Sequence, residues 1–169
     1  MALTHVDPSR QHGLARRAYM GVLRTPPGRW IAINIASRVD PWLLSHSNGR
    51  VGFGLMIPSA LLETTGAKSG QPREATVLYF HEGDEVVLIA SSFGREKHPS
   101  WYHNLKAHPA CRLGGEPFVA KEVADPDECE RLFAQAVRIF PGYADYQKRT
   151  APIGRRIPVM RLTPATARP

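Results

Sequence analysis

The chain has 169 residues and a mass of 18.7 kDa, the size of one globular domain. Its 43% hydrophobic and 22% charged residues exclude a wholly disordered or collagen-like polymer. The net charge of +7 gathers at the two ends: residues 1–30 carry five arginines against Asp7, residues 148–169 carry six cations and no acid, and the stretch between them sums to −3. A basic end suits an anionic small molecule, an anionic membrane surface or nucleic acid.

No apolar run approaches the roughly 18 residues of a spanning helix. Residues 1–8 lack both the basic start followed by an apolar run and the small-residue cleavage site of a secretory signal, and a cytoplasmic location is expected. Cys111 and Cys129 are too few and too far apart for a disulfide framework or a paired-cysteine metal site, so two buried thiols are expected.

In chain order, Leu14, Ala15, Ala18, Tyr19, Val22 and Leu23 fall on one half of a helical wheel, with Arg10, Arg16, Arg17 and Arg24 on the other. The pattern predicts a basic amphipathic helix, either lying on a membrane surface or packed over the core with its arginines in water. Thr25-Pro26-Pro27-Gly28 ends it. Shorter helices are predicted over 30–39 and from Asp40, and a Gly-rich connector over 47–54. The period then changes. Residues 59–65, 74–81 and 85–91 read as strands, the last two joined by Gly83-Asp84. His98 and Pro99 read as N-cap and first turn of a short helix ending before Pro109. Strands 110–113 and 118–123 join across Gly114-Gly115; Asp125-Pro126 opens a helix that Pro141-Gly142 stops; a last strand covers 157–162. Helices first and then hairpin-linked strands define an α+β protein, a mostly antiparallel barrel with peripheral helices.

Three clusters carry chemistry. The first, residues 63–73, sets Lys68, Ser69 and Arg73 beside Gly66 and Gly70 between two strands. Backbone amides, hydroxyls and cations there suit a phosphate, although the spacing is not that of a Walker A loop. The second, residues 91–105, joins a strand end to a helix start, where backbone donors favour an anion or a polarised carbonyl. The histidines His98, His103 and, just beyond it, His108 do not share a helix face, because each step of five turns by roughly 140°, and no metal site is expected. The third holds Tyr143 and Tyr146, three apart and able to share one face of a short helix.

Together, Thr64-Thr65-Gly66-x-Lys68-Ser69-Gly70-x-Pro72-Arg73, Ala90-Ser91-Ser92-x-Gly94, His98-Pro99-x-Trp101-Tyr102-x-Asn104-Leu105 and Pro141-x-Tyr143-x-x-Tyr146 closely resemble the deazaflavin (coenzyme F-420)-dependent nitroreductase family. The resemblance runs from about residue 41 to 162. It implies a split β-barrel over 47–169 with a helical extension over 1–46, and reduced 8-hydroxy-5-deazaflavin as hydride donor, with FMN the less favoured cofactor. By the same resemblance Lys68, Ser69 and Arg73 hold the coenzyme's phosphate and glutamate tail. Ala90, Ser91, Pro99, Ser100 and Trp101 lie beside the deazaflavin rings, and Tyr143 and Tyr146 face the substrate. Two positions depart from the family pattern: Ala67 stands where a basic residue is common and Phe140 where a tyrosine can occur.

The expected function is hydride transfer to an electrophilic acceptor, a quinone, an activated alkene or a nitro compound, with Tyr143 and Ser91 as catalytic residues. A basic amphipathic N-terminal helix would bring such a site to the inner face of a membrane if the acceptor is a membrane quinone. The alternative is a non-catalytic carrier of a flavin-like or tetrapyrrole-sized ligand in the same barrel. Nucleic acid is not an expected partner, because no aromatic-basic strand motif of the RNA-binding type occurs. The residues leave the oligomeric state open.

Overall fold

Alternating side chains build the sheet. In β1 (Ser59–Thr65) every second residue is buried, the period of a strand with one face to a core. The computed structural model describes residues 3–7, Thr25 and residues 58–165. The amphipathic helix expected over 10–24, the shorter helices expected over 30–39 and from Asp40, and the connector expected over 47–54 lie outside the described residues, Thr25 apart.

β1 pairs with β2 (Pro72–Glu82), β2 with β3 (Glu85–Ile89), β3 with β6 (Val159–Pro164), β6 with β5 (Glu116–Glu122), β5 with β4 (Ala110–Leu113), and β4 returns to β1. Every pairing is antiparallel, and the ring is a closed barrel without a free edge. The expected antiparallel barrel with peripheral helices is therefore present. Among the described residues the α-helices are α1 (Ser100–Ala107), α2 (Pro126–Ile139) and α3 (Gly142–Thr150).

Two apolar clusters hold these pieces. The barrel interior contains Leu62, Leu88, Leu113, Met160 and Leu162, with Trp101 and Leu105 of α1 packed against them. Outside the barrel, Phe80, Val87, Ile89 and Val159 meet Leu132, Phe133 and Ala136 of α2 and Tyr143 and Tyr146 of α3. β3 is thus buried on both faces, which explains its continuous apolar run. Both cysteines are buried, as expected, and free; burial pushes the Cys111 thiol up to about 11.

Several element ends differ from those predicted. β3 stops at Ile89 because the Ser91 amide turns back to the Ile89 carbonyl. β6 begins at Val159 rather than 157, since Pro158 has no N–H to extend the ladder. β2 reaches back to Pro72 and β5 to Glu116, further than their apolar residues indicate. The N-cap of α1 is Pro99, with extended backbone (ψ 148°), rather than His98. The Asp125 cap is as expected, its side chain accepting from the Asp127 amide.

Residues 3–7 dock on the barrel. The Val6 amide donates to His81 Nδ1 at 3.1 Å while the His81 amide donates to the Val6 carbonyl at 2.9 Å. The Tyr79 hydroxyl donates to the Thr4 carbonyl, and the Leu3 amide to Glu116.

A charge network ties α2 to the sheet. The Arg161 guanidinium bonds Glu85 at 2.6 Å and Glu82 at 2.7 Å and also reaches Glu128, while Arg131 bonds Glu82. The Arg131 hydrogen bond, with Arg161 alongside, holds the Glu82 carboxyl below its usual range. The Arg161 side chain is 20% exposed, so removing it takes the cation from Glu85 in a partly desolvated site and leaves Glu82 and Glu128 to Arg131. We predict that Arg161→Leu costs about 2 kcal/mol, less than for a fully buried pair. That loss lowers the melting temperature by roughly 4–8 °C. A variant melting within about 1 °C of the parent contradicts a stabilising role for the network.

Candidate functional site

Antiparallel pairing decides which loops can meet. β1 and β3 run the same way, so the β1–β2 turn lies at the barrel end where β3 stops. At that same end β4 and β6 begin and β5 finishes, as the pairs Ile89↔Val159 and Glu122↔Met160 show. Two of the three clusters singled out in the sequence, residues 63–73 and 91–105, therefore share one end of the barrel. The third, on α3, joins them through contacts with the 92–94 turn.

The β1–β2 turn is tightly closed. The Gly66 amide donates to the Gln71 carbonyl at 2.8 Å and the Gly70 amide to the Gly66 carbonyl at 2.9 Å. A Cβ on Gly66 would stand 2.6 Å from Ser69 Oγ, so only glycine lets the turn close on that hydroxyl. The Ala67 amide donates to Asn104 Oδ1 (3.0 Å) and the Gln71 amide to Ser69 Oγ (3.3 Å). Four of the turn's amides are thus engaged within the protein, and its capacity for an anion rests largely on side chains. Lys68, Ser69 and Arg73 are all exposed there.

Asn104 links this turn to α1. Besides accepting from Ala67, its Nδ2 donates to Thr64 Oγ1 at 3.0 Å, and that hydroxyl donates to the Arg73 carbonyl at 3.4 Å. At 7% exposure the amide is shielded from competing water. The turn that carries the cations is hence fixed to the helix that carries Ser100 and Trp101.

Ala90 and Ser91, beyond β3, are buried. The Ala90 amide donates to the Pro158 carbonyl. Next comes a left-handed turn with φ of 51° at Ser92, 56° at Phe93 and 72° at Gly94, closed by Gly94 and Arg95 amides donating to the Ser91 and Ser92 carbonyls. Non-glycine residues in this region cost roughly 1–2 kcal/mol each. A Cβ on Gly94 would lie 3.1 Å from Tyr146 Cα, so the turn packs closely on α3. Around it the Arg155 guanidinium donates to the carbonyls of Ala90 (2.8 Å), Ser91 (3.0 Å) and Arg95 (2.8 Å) and to His98 Nδ1 (3.2 Å).

Pro99 is half-buried and Ser100 exposed, whereas Trp101 is buried and belongs to the barrel core. Tyr143 and Tyr146, on α3 as the spacing predicts, have rings 6.1 Å apart. Phe140 packs edge-on to Tyr143 at 5.3 Å, and Phe133 lies 6.2 Å away. Burial, with Tyr146 nearby, raises the Tyr143 phenol well above its ordinary value. Such a phenol keeps its proton near neutral pH and is able to donate a hydrogen bond.

Asn104 is part of a quoted motif but carries no role in the sequence reading, and Arg155 is counted there only as terminal basic charge. Nothing local separates Arg155 from its neighbour Arg156, which is exposed and donates to Cys129 Sγ. Among the described residues no group of three or more His, Cys, Asp or Glu side chains is placed to hold a metal ion, and no helix is long and apolar enough to cross a membrane.

A barrel end bearing an exposed basic turn, a buried strand end and an aromatic helix is the arrangement that the resemblance to deazaflavin-dependent reductases implies. Residues 36–164 match the model of the F420H(2)-dependent quinone reductase family, and the chain belongs to that family. A Mycobacterium tuberculosis protein bearing the same name is 36% identical over 146 residues, which cover 80% of this chain and 96% of that protein. A solved F420-H2 dependent reductase superposes with a TM-score of 0.53 at 36% identity, covering 62% of this chain and 93% of that one. A domain-swapped dimer superposes with a TM-score of 0.56 at 32% identity, covering 80% and 98%. The expected deazaflavin-dependent oxidoreductase is borne out, with coenzyme F-420 as its cofactor.

The donor set fits that coenzyme: two exposed cations and a hydroxyl suit an anionic tail, and a partly apolar strand end suits a ring system. The Arg155–His98 bond supplies a pH test. Burial foremost, then Arg155 and His103, lower the His98 pKa from 6.5, with Glu122 opposing. The neutral ring is the form that accepts from Arg155. Because the folded value is depressed, this contribution to stability is full above about 6.5 and is lost as pH falls through the folded value. We predict that His98→Asn, which keeps an acceptor and cannot take up a proton, flattens the fall in stability below that pH in denaturant titrations. An unchanged slope contradicts the linkage.

Proposed function

We propose that this chain passes a hydride from reduced coenzyme F-420 to a quinone at the barrel end described above. The observation that carries the proposal is the Asn104 amide bond, which holds the basic turn at a fixed offset from the helix beside the strand end. When bound, the reduced deazaflavin supplies the hydride from C5; the protein supplies binding, orientation and electrostatics. Lys68 and Arg73 would make charge-assisted bonds to the phosphate and glutamate tail, with Ser69 adding a hydroxyl.

Ala90, Pro99 and Ser100 would frame the rings, with Trp101 behind them in the barrel core. The amide and carbonyl of Ser91 are already engaged, which leaves its hydroxyl to stabilise charge on the ring system. Tyr143, kept protonated by burial, would donate a hydrogen bond to the oxygen that becomes negative as a quinone is reduced, while Tyr146 shapes the wall. Phe140 offers packing only.

Lys68→Ala and Arg73→Ala should each raise the dissociation constant for the oxidised coenzyme about 10-fold, since such bonds are worth roughly 1.5–3 kcal/mol. Fluorescence titration at moderate salt reads the effect, and unchanged constants for both variants remove the tail assignment. Tyr143→Phe keeps the ring and loses one donor. It should lower kcat/KM for a soluble naphthoquinone by roughly 10–100-fold, in line with a bond to developing charge, and leave coenzyme affinity unchanged. Intact acceptor kinetics return Tyr143 to a packing role. Binding of the reduced coenzyme without oxidation by any quinone, enone or nitro compound selects the carrier alternative.

The arginine face expected over residues 10–24 supports a further reading, contact with an anionic membrane surface where lipophilic quinones reside, at roughly 1 kcal/mol per cation. Full-length protein should co-sediment with vesicles of anionic lipid more than a variant with Arg10, Arg16, Arg17 and Arg24 changed to Gln. Equal partitioning refutes the contact.

A further inference from the structure

Arg155 reaches, through its side chain, acceptors far away in the sequence. It follows Gly154, whose left-handed conformation (φ 65°) ends the short 3₁₀ segment Ala151–Ile153 beyond α3, and its amide donates to the Thr150 carbonyl at 3.0 Å. From there a single planar guanidinium serves four acceptors 57 to 65 positions earlier: the carbonyls of Ala90, Ser91 and Arg95, and Nδ1 of His98. Those acceptors flank one object, the left-handed turn Ser92-Phe93-Gly94. Two of its three residues are not glycine, so the turn is strained and persists only where its surroundings over-determine it.

Two restraints are present. α3 backs the middle of the turn, with the Phe93 ring 6.1 Å from Tyr146 and Gly94 against the Tyr146 backbone. Arg155 holds both ends, Ala90 and Ser91 before the turn and Arg95 after it. A lysine ammonium could not reproduce this, because the acceptors are spread along a fork that only a guanidinium presents.

We propose that Arg155 is a positioning residue for hydride transfer, fixing the Ala90–Ser91 backbone, the strained turn and His98 in the arrangement that receives the deazaflavin rings. This rests on the placement of those rings at Ala90 and Ser91 given under Proposed function. Arg155 touches neither coenzyme nor acceptor in this account. It acts through the strand end, which it sets relative to α3 and its two tyrosines, so that the donor ring and the acceptor pocket keep one spacing. A small displacement of either reacting partner is costly to hydride transfer, because the reacting atoms must stay within near-attack distance.

The test compares wild type, Arg155→Ala and Arg155→Lys by amide hydrogen exchange without coenzyme and by fluorescence titration with oxidised coenzyme F-420. In Arg155→Ala the Gly94 and Arg95 amides should exchange at least about 10-fold faster while those of Val87 and Leu88 do not change, the pattern of local rather than global opening. Its coenzyme dissociation constant should rise about 10-fold, a loss of the size expected for bonds to a charged donor. Millimolar guanidinium ion, unlike ammonium at equal ionic strength, should recover part of that affinity, and Arg155→Lys should fall between the other two.

Unchanged exchange at Gly94 and Arg95, unchanged coenzyme affinity, or recovery that ammonium matches each overturns the proposal. Exchange that quickens equally throughout β3 does so too, by making Arg155 a general stabiliser. A wild type that binds no deazaflavin is a different failure: it removes the reading of the site, while the exchange data still report whether Arg155 holds the turn.

Discussion

Closure of six antiparallel strands into one ring is the constraint on which the site depends. In such a ring strand direction alternates, so alternate connections emerge at the same end. The β1–β2 turn, the segment after β3 and the approach to β6 are separated by about 20 to 90 positions in the sequence, yet topology assigns them to one end. The opposite end receives Gly83-Asp84 and Gly114-Gly115, short turns with no chemistry-bearing cluster. The two ends of the barrel thus gather different residues, while one apolar core lies between them.

What topology brings near, a few buried or partly buried hydrogen bonds then fix. Asn104 joins the basic turn to α1, and Arg155 joins the strand end to the segment before α1 and to the chain after α3. Both use side chains rich in donors whose partners are mostly backbone or shielded atoms, where an unmade bond costs more than on the surface. Lys68 and Arg73, the cations proposed for the coenzyme tail, remain exposed, which suits groups that must meet an incoming anion. Rigid backbone and free cations are complementary requirements of a preorganised anion site.

Legibility in the sequence follows the range of each interaction. Strand β1, helix α2 and its Asp125 cap depend on neighbours within a few positions, and periodicity places them well. Element ends are less legible where a distant partner decides them. β3 ends through a local turn but beside Pro158, almost 70 positions on, and β2 extends to Pro72 because β1 offers it partners. The basic turn and the strand end are legible as motifs through glycines, cations and hydroxyls. Arg155 is not, because its partners lie some 60 positions away and its local context is a basic tail. Tyr143 and Tyr146 are legible as one helical face, but their enclosure by Phe133 and Phe140 follows only from how α2 and α3 pack.

The central claim is that one coenzyme spans from the basic β1–β2 turn to the end of β3. Backbone amide NMR during titration with oxidised coenzyme F-420 tests it most directly. The account predicts that amides of residues 66–73 and of residues 90–101 shift together, with one dissociation constant and one-to-one saturation, while those around Gly83 and Gly114 at the other end stay still. Shifts confined to one of the two segments, two unrelated binding curves, or a response centred on the Gly83 end would contradict it.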